Sequence, residues 1–208
     1  MVERPISSRL SGRLDQSKEL SHLITTRANA TQFPASTRNR VVGGCFDLSL
    51  EHHNAVITLV EARLAACAFA LLRVMYESHI RGVWLRKIAT DDDIGTYQQG
   101  RPKPLDRMVR ELSAHPEWKD VGYSRFQAYA KNILDDYVHA GFRAVSRRIS
   151  ADAIEEVHDE EQEIETLSFA DIWAINTAEQ IMLMSDNFAH AEAFKLEALA
   201  LIGKTWPE

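Results

Sequence analysis

Arg73, Glu77 and Arg81 stand four residues apart, so on a helix they line one face. A carboxylate between two guanidiniums can pair with both. The arginine it satisfies less well keeps a charge that could hold a phosphate or carboxylate. A second constellation centres on His139, within Asp135-Asp136-Tyr137-Val138-His139-Ala140-Gly141, where the neighbouring carboxylates could orient or charge the ring. Arg143, Arg147 and Arg148 follow at helical spacing. If that segment packs against the Arg73 face, the two would form a cationic pocket holding one histidine, suited to a phosphate-bearing ligand. With Trp84 from the same stretch, the candidate binding residues are Arg73, Glu77, Arg81, Trp84, His139, Arg143 and Arg147. In the plainer alternative, the ladder pins its helix in register and His139 binds a neighbouring helix end.

Catalysis on RNA would need a histidine acting as base or acid on the 2′-hydroxyl or the leaving oxygen, and an arginine stabilising the pentavalent phosphate. His139, Arg73 and His79 are the candidates. The pairs Arg73-x5-His79 and Arg110-x4-His115 have a suitable spacing, although chance supplies such pairs in a chain of this size. Six residues are about 240° of helix, so Arg73 and His79 point to different faces. Metal is expected to be absent. Glu155-x-x-His158 and the imitation Asp136-x-x-His139 have the shape of a helical di-iron half-site, but no second inward glutamate accompanies them. Glu51-His52-His53 reads as an exposed helix start. There is no Gly-x-Ser-x-Gly, Walker loop or dinucleotide loop, and no cofactor is expected.

These side chains must be positioned by helices. The 208 residues carry a formal charge of −6, which weighs against non-specific nucleic-acid binding, and only nine glycines and six prolines, which weighs against a turn-rich β fold. Period-two alternation is missing. Leu64 to Leu85 is apolar nearly all round, interrupted by Arg73, Glu77, His79 and Arg81. That is too many charges for a membrane span and fits a buried soluble helix. No signal-peptide core precedes it, so the expectation is a cytoplasmic protein without membrane contact. The two cysteines have no zinc-type spacing.

The fold expected is all-α, a bundle of five to seven helices around a long central buried helix over 64–88. Residues 1–45 read as a partly helical N-terminal appendage and linker, with 46–208 as the bundle domain. Ser49 is a plausible N-cap for the helix leading to a break near Arg63. Thr90-Asp91-Asp92-Asp93 opens a short helix ending at Gly100, and another runs over 105–114. A helix over 123–138 is ended or bent by His139-Ala140-Gly141. Ser150 could cap a helix over 151–157, and the acidic run Asp159 to Glu165 leads into a long helix, followed by a last one over 188–202.

Arg73-x3-Glu77-x3-Arg81-Gly82-x-Trp84-Leu85, followed by Ala89-Thr90-Asp91 and Ile94, resembles the core motif of an uncharacterised family of helical bacterial proteins. Tyr137-x-His139-x-Gly141, with Arg147-Arg148 after it, resembles that family's second motif. The likeness covers about residues 50 to 185. It implies a helical fold and no activity. A looser likeness to HEPN-type bundles implies a binding or regulatory protein, a homodimer, in bacterial stress or phage defence. The alternative it implies is a metal-independent ribonuclease or a related phosphate-transfer enzyme acting on RNA.

Overall fold

The computed structural model describes residues 5–116, 123–154 and 159–203. It is all-α. The long central helix, α3 (Ala65–Lys87), is lined by Ala68, Leu72, Met75, Tyr76, Ile80, Val83, Trp84 and Leu85, all buried. Apolar side chains cover most of its circumference, so other helices must pack round it, leaving Arg73, Glu77 and Arg81 half-buried on one face. Before it runs α2 (Thr37–Glu61), antiparallel and in close contact along its length. Between them Arg63 takes a left-handed backbone (φ 61°), which stops one helix and reverses the chain into the next.

The other long layer is α9 (Glu160–Met182), which packs on α2, α3 and the N-terminal helix α1 (Ser8–Asn29). Asp159 caps α9 through its carboxylate, and three glutamates occupy the first turn, where the helix dipole favours negative charge. Shorter elements close the far side of α3. These are α4 (Asp91–Gln98), opened by a Thr90–Asp93 capping box, and α5 (Leu105–Ala114). Next comes one path made of α6 (Tyr123–Tyr129), a π segment (Ala130–Leu134) and α7 (Asp135–Val138), which leads through a left-handed Ala140 into α8 (Phe142–Ser146). The chain returns with α10 (Phe188–Leu201) against α9.

Two readings of local structure give way. Ser49 is not a helix start. Ser36 caps α2 thirteen residues earlier in sequence, and Ser49, fully buried in mid-helix, donates to the carbonyl of Met75 at 3.1 Å. The connection between α1 and α2 is therefore only residues 30–36, and a boundary at 45 falls inside α2. Leu10, Leu14, Leu20 and Ile24 of α1 join the same core as α3. Ser150 caps a turn, not a helix: its hydroxyl and amide bind Ala153, and Ile149 bridges to Ile154. Residues 155–158 lie outside the described residues.

Gly82 and Gly141 have steric causes. A Cβ on Gly82 would lie 2.4 Å from the ring of Phe46, so α2 and α3 could not approach as they do. A Cβ on Gly141 would lie 2.4 Å from the carboxylate of Asp136 and 3.0 Å from its Cα.

Candidate ligand cleft and buried polar networks

The ladder forms, but unevenly. Arg73 pairs with Glu77 at 3.0 Å and, through Nε, with Asp135 at 2.8 Å. Arg81 reaches Glu77 only at 4.0 Å, and its Nε is buried without a hydrogen-bond partner. Glu77 thus leans to Arg73, and Arg81 is the less satisfied cation. Asp135 arrives from the residue just after the π segment, the kind of helix irregularity that re-aims side chains. The rings of Phe69 and Tyr137 stack alongside at 4.8 Å between centroids. Helices α3 and α7 therefore meet here, joined by an ion pair and a ring stack.

His139 does not join them. It is exposed at the end of α7. Arg147 turns to Gln162 at the start of α9 (2.7 Å). The side chain of Arg143 lies outside the described residues, as do Glu155 and His158. The single cationic pocket expected from Arg73, Arg81 and His139 is not assembled, because Asp135 takes the place on Arg73 that a ligand would need.

His79 is a core group. Only 1% exposed, it lies among Phe46, Tyr123 and Trp173, with Nδ1 2.8 Å from the Thr177 hydroxyl and Nε2 3.4 Å from the Tyr123 hydroxyl. Burial pulls its pKa down to about 3, so the ring stays neutral. Neutral and sealed from solvent, it offers no acid–base group to an RNA strand. His115 ends α5, five residues past Arg110. His52 and His53 are interior positions of α2.

His53 belongs to a network that spacing did not reveal. Its Nε2 donates to Asp171 at 2.7 Å, while Ser17 donates to the other carboxylate oxygen at 2.9 Å and Arg13 to the same oxygen. Asp171 is fully buried. Burial alone would raise its pKa, but the hydrogen bond from His53 and the charge of Arg13 outweigh that and hold the carboxyl below its usual range. A signal existed. With α2 begun at Ser36, His53 falls on the buried stripe Val42, Phe46, Ser49, Val56, Val60.

The Trp84 end of α3 opens onto a cleft of about 220 Å³. Trp84 and Met108 belong to its lining, with Tyr97 of α4, and Arg101, Lys103 and Arg107 bring positive charge. Trp84 is held in place, its Nε1 donating to Glu111 at 2.6 Å. The Lys103 ammonium sits 4.3 Å over the Trp84 ring and 3.1 Å from Glu111, with Asp93 at 3.9 Å. The first turn of α5, with Pro104 and Arg107, faces the cleft and has no side-chain cap. The helix dipole favours an anion at this end, while Asp106 in the first turn of α5 and Asp93 in the cleft lining carry the opposite charge.

Tyr97 forms the inner wall. Burial pushes its pKa up to about 12 and raises that of its partner thiol, Cys45, 3.6 Å from the Tyr97 hydroxyl. The charge of the Arg81 guanidinium works against both shifts. Of the cleft residues only Trp84 stood among those singled out by spacing. Arg101, Lys103 and Arg107 come from a proline-rich turn and an exposed helix face, which sequence alone reads as solvated charge. Among the described residues no cluster of three or more His, Cys, Asp or Glu could hold a metal ion, and no helix is long and apolar enough to cross a membrane.

A model of a family of unknown function, DUF6988, matches residues 46–200. No curated protein and no solved structure matches the chain.

Proposed function

Because the chain belongs to DUF6988, a family of unknown function, we propose its role from geometry: a non-catalytic helical protein that binds a small phosphate-bearing ligand in the Trp84 cleft. The observation that carries this is the cleft at the start of α5, where Arg101 and Arg107 line a wall shared with Tyr97, and Lys103, already paired with Glu111, leaves Asp93 as the acid of the lining. Guanidiniums match phosphate oxygens, and the half-buried Tyr97 ring suits a flat or apolar body. A volume of about 220 Å³ sets the scale at one phosphate and a small attached group.

Titration with sugar phosphates and nucleoside monophosphates, read by calorimetry and by Trp fluorescence, tests the proposal. Saturable binding should weaken about tenfold in Arg107→Ala, the loss of one charge-assisted hydrogen bond to phosphate. Arg107 is exposed, so the variant should fold. No binding at millimolar ligand, or binding indifferent to Arg107→Ala and Arg101→Ala, would defeat the proposal. So would RNA cleavage that disappears in His139→Ala, since that would reinstate the ribonuclease. A role in bacterial stress or defence rests on the likeness of motifs alone and gains no support from the cleft. Self-association is part of the proposal: Val138, Phe142, Val145, Ile149 and Ile154 leave apolar side chains exposed around α8.

A further inference from the structure

The helix α1 lies outside the segment that matches the family, whereas the four carboxylates it pairs with among the described residues lie inside. Arg9 pairs with Glu161 at 2.7 Å, Lys18 with Glu61 at 2.6 Å, Arg27 with Glu197 at 2.8 Å, and Arg13 with the buried Asp171. The four acids come from α2, α9 and α10. Between these pairs Leu10, Leu14, Leu20 and Ile24 drop into the groove, none more than 2% exposed. The buried Asp171 requires a cation or donors at this place. His53 supplies one hydrogen bond from within the family segment, and α1 brings the rest through Arg13 and Ser17.

We propose that α2, α9 and α10 form a receptor groove for a basic amphipathic helix, which α1 occupies in cis as an exchangeable occupant. The partner it fits is a helix with apolar anchors at the positions of Leu10, Leu14, Leu20 and Ile24 and an arginine placed to reach Asp171. The proposal is independent of the Trp84 cleft, which is built from α3, α4 and α5. Helix-in-groove recognition uses the same elements: apolar anchors along one face and flanking charges that fix register. In the intact chain α1 competes at an effective concentration on the order of millimolar, so the groove is normally closed to others.

The test uses the full chain with a protease site placed in residues 30–36, the connection before α2. After cutting, α1 should stay associated and exchange with a fluorescent peptide of residues 5–31. Anisotropy should show saturable binding, much tighter to cut chain than to intact chain. A peptide carrying Arg13→Ala should bind the same cut protein at least about tenfold more weakly, because Asp171 is left without its cation. Placing the substitution in the peptide keeps the receptor unaltered. Three results would overturn the proposal. One is loss of helical signal when α1 dissociates, which would make α1 an inseparable part of the core. The others are failure of the peptide to exchange, and equal binding by the Arg13→Ala peptide.

Discussion

The histidines of this protein are separated by burial, not by neighbouring residue types. His79 sits sealed among Trp173, Tyr123 and Thr177, and His139 stands in solvent six residues beyond Ile133, which is itself only half-buried. For His79 the consequence can be measured. Its folded pKa of about 3 lies below its ordinary value of 6.5, so the unfolded chain binds the proton more readily. Stability from this group is then complete above pH 6.5 and is lost as pH falls from there toward 3. Thermal unfolding between pH 7 and 5 should show a loss approaching about 1.4 kcal/mol per pH unit, one proton's worth, below pH 6. His79→Gln should flatten that slope even if it lowers stability overall. An unchanged slope would mean that the ring already charges in the folded protein. Asp171 acts in the same direction at lower pH: with a depressed carboxyl pKa, its contribution is present above about 3.9 and lost only in stronger acid.

At the scale of elements, α3 is the part most fully written in the sequence. Its apolar run, its break near Arg63 and its end before Thr90 all correspond to the observed Ala65–Lys87, as do α5 and the long path ending at Val138. Local spacing and caps decide such features. Which partner a charge on α3 would choose was not legible, because that depends on a neighbour some sixty residues away. Asp135, at 2.8 Å from Arg73 Nε, makes the ladder a joint between α3 and α7. Arg73→Ala should therefore cost about 2 kcal/mol, read by denaturant unfolding, since it leaves Asp135 without this cation and Glu77 with only Arg81 at 4.0 Å. Asp135→Asn should cost less, because Glu77 still serves Arg73. In a double-mutant cycle the two should couple, with Asp135→Asn losing much of its effect in the Arg73→Ala background. Strict additivity would mean that the pair stabilises nothing. If Arg73→Ala instead left stability intact and abolished ligand binding, the ladder would belong to the site.

Across the whole molecule, α1 illustrates what composition hides. Its leucine spacing was visible, but the Thr, Ser, Asn and Pro residues after it suggested a loose linker. The chain instead turns back within 30–36, and α1 reaches the core beside α9. Around α8, Phe142 is 80% and Ile154 90% exposed. Two copies should associate through this apolar segment if the proposed homodimer exists. Sedimentation should then show a dimer that Phe142→Glu with Ile154→Glu returns to monomer, while a wild-type chain that stays monomeric at high concentration would remove it. By itself the sequence determined the all-α class, the central buried helix and most helix ends, because hydrophobic period and caps act over a few residues. Only the tertiary structure decided that Arg73 is claimed by Asp135, that His79 is buried, and that Trp84 borders a cationic cleft. Each of these depends on which distant segments pack together, and burial and pairing are properties of that packing.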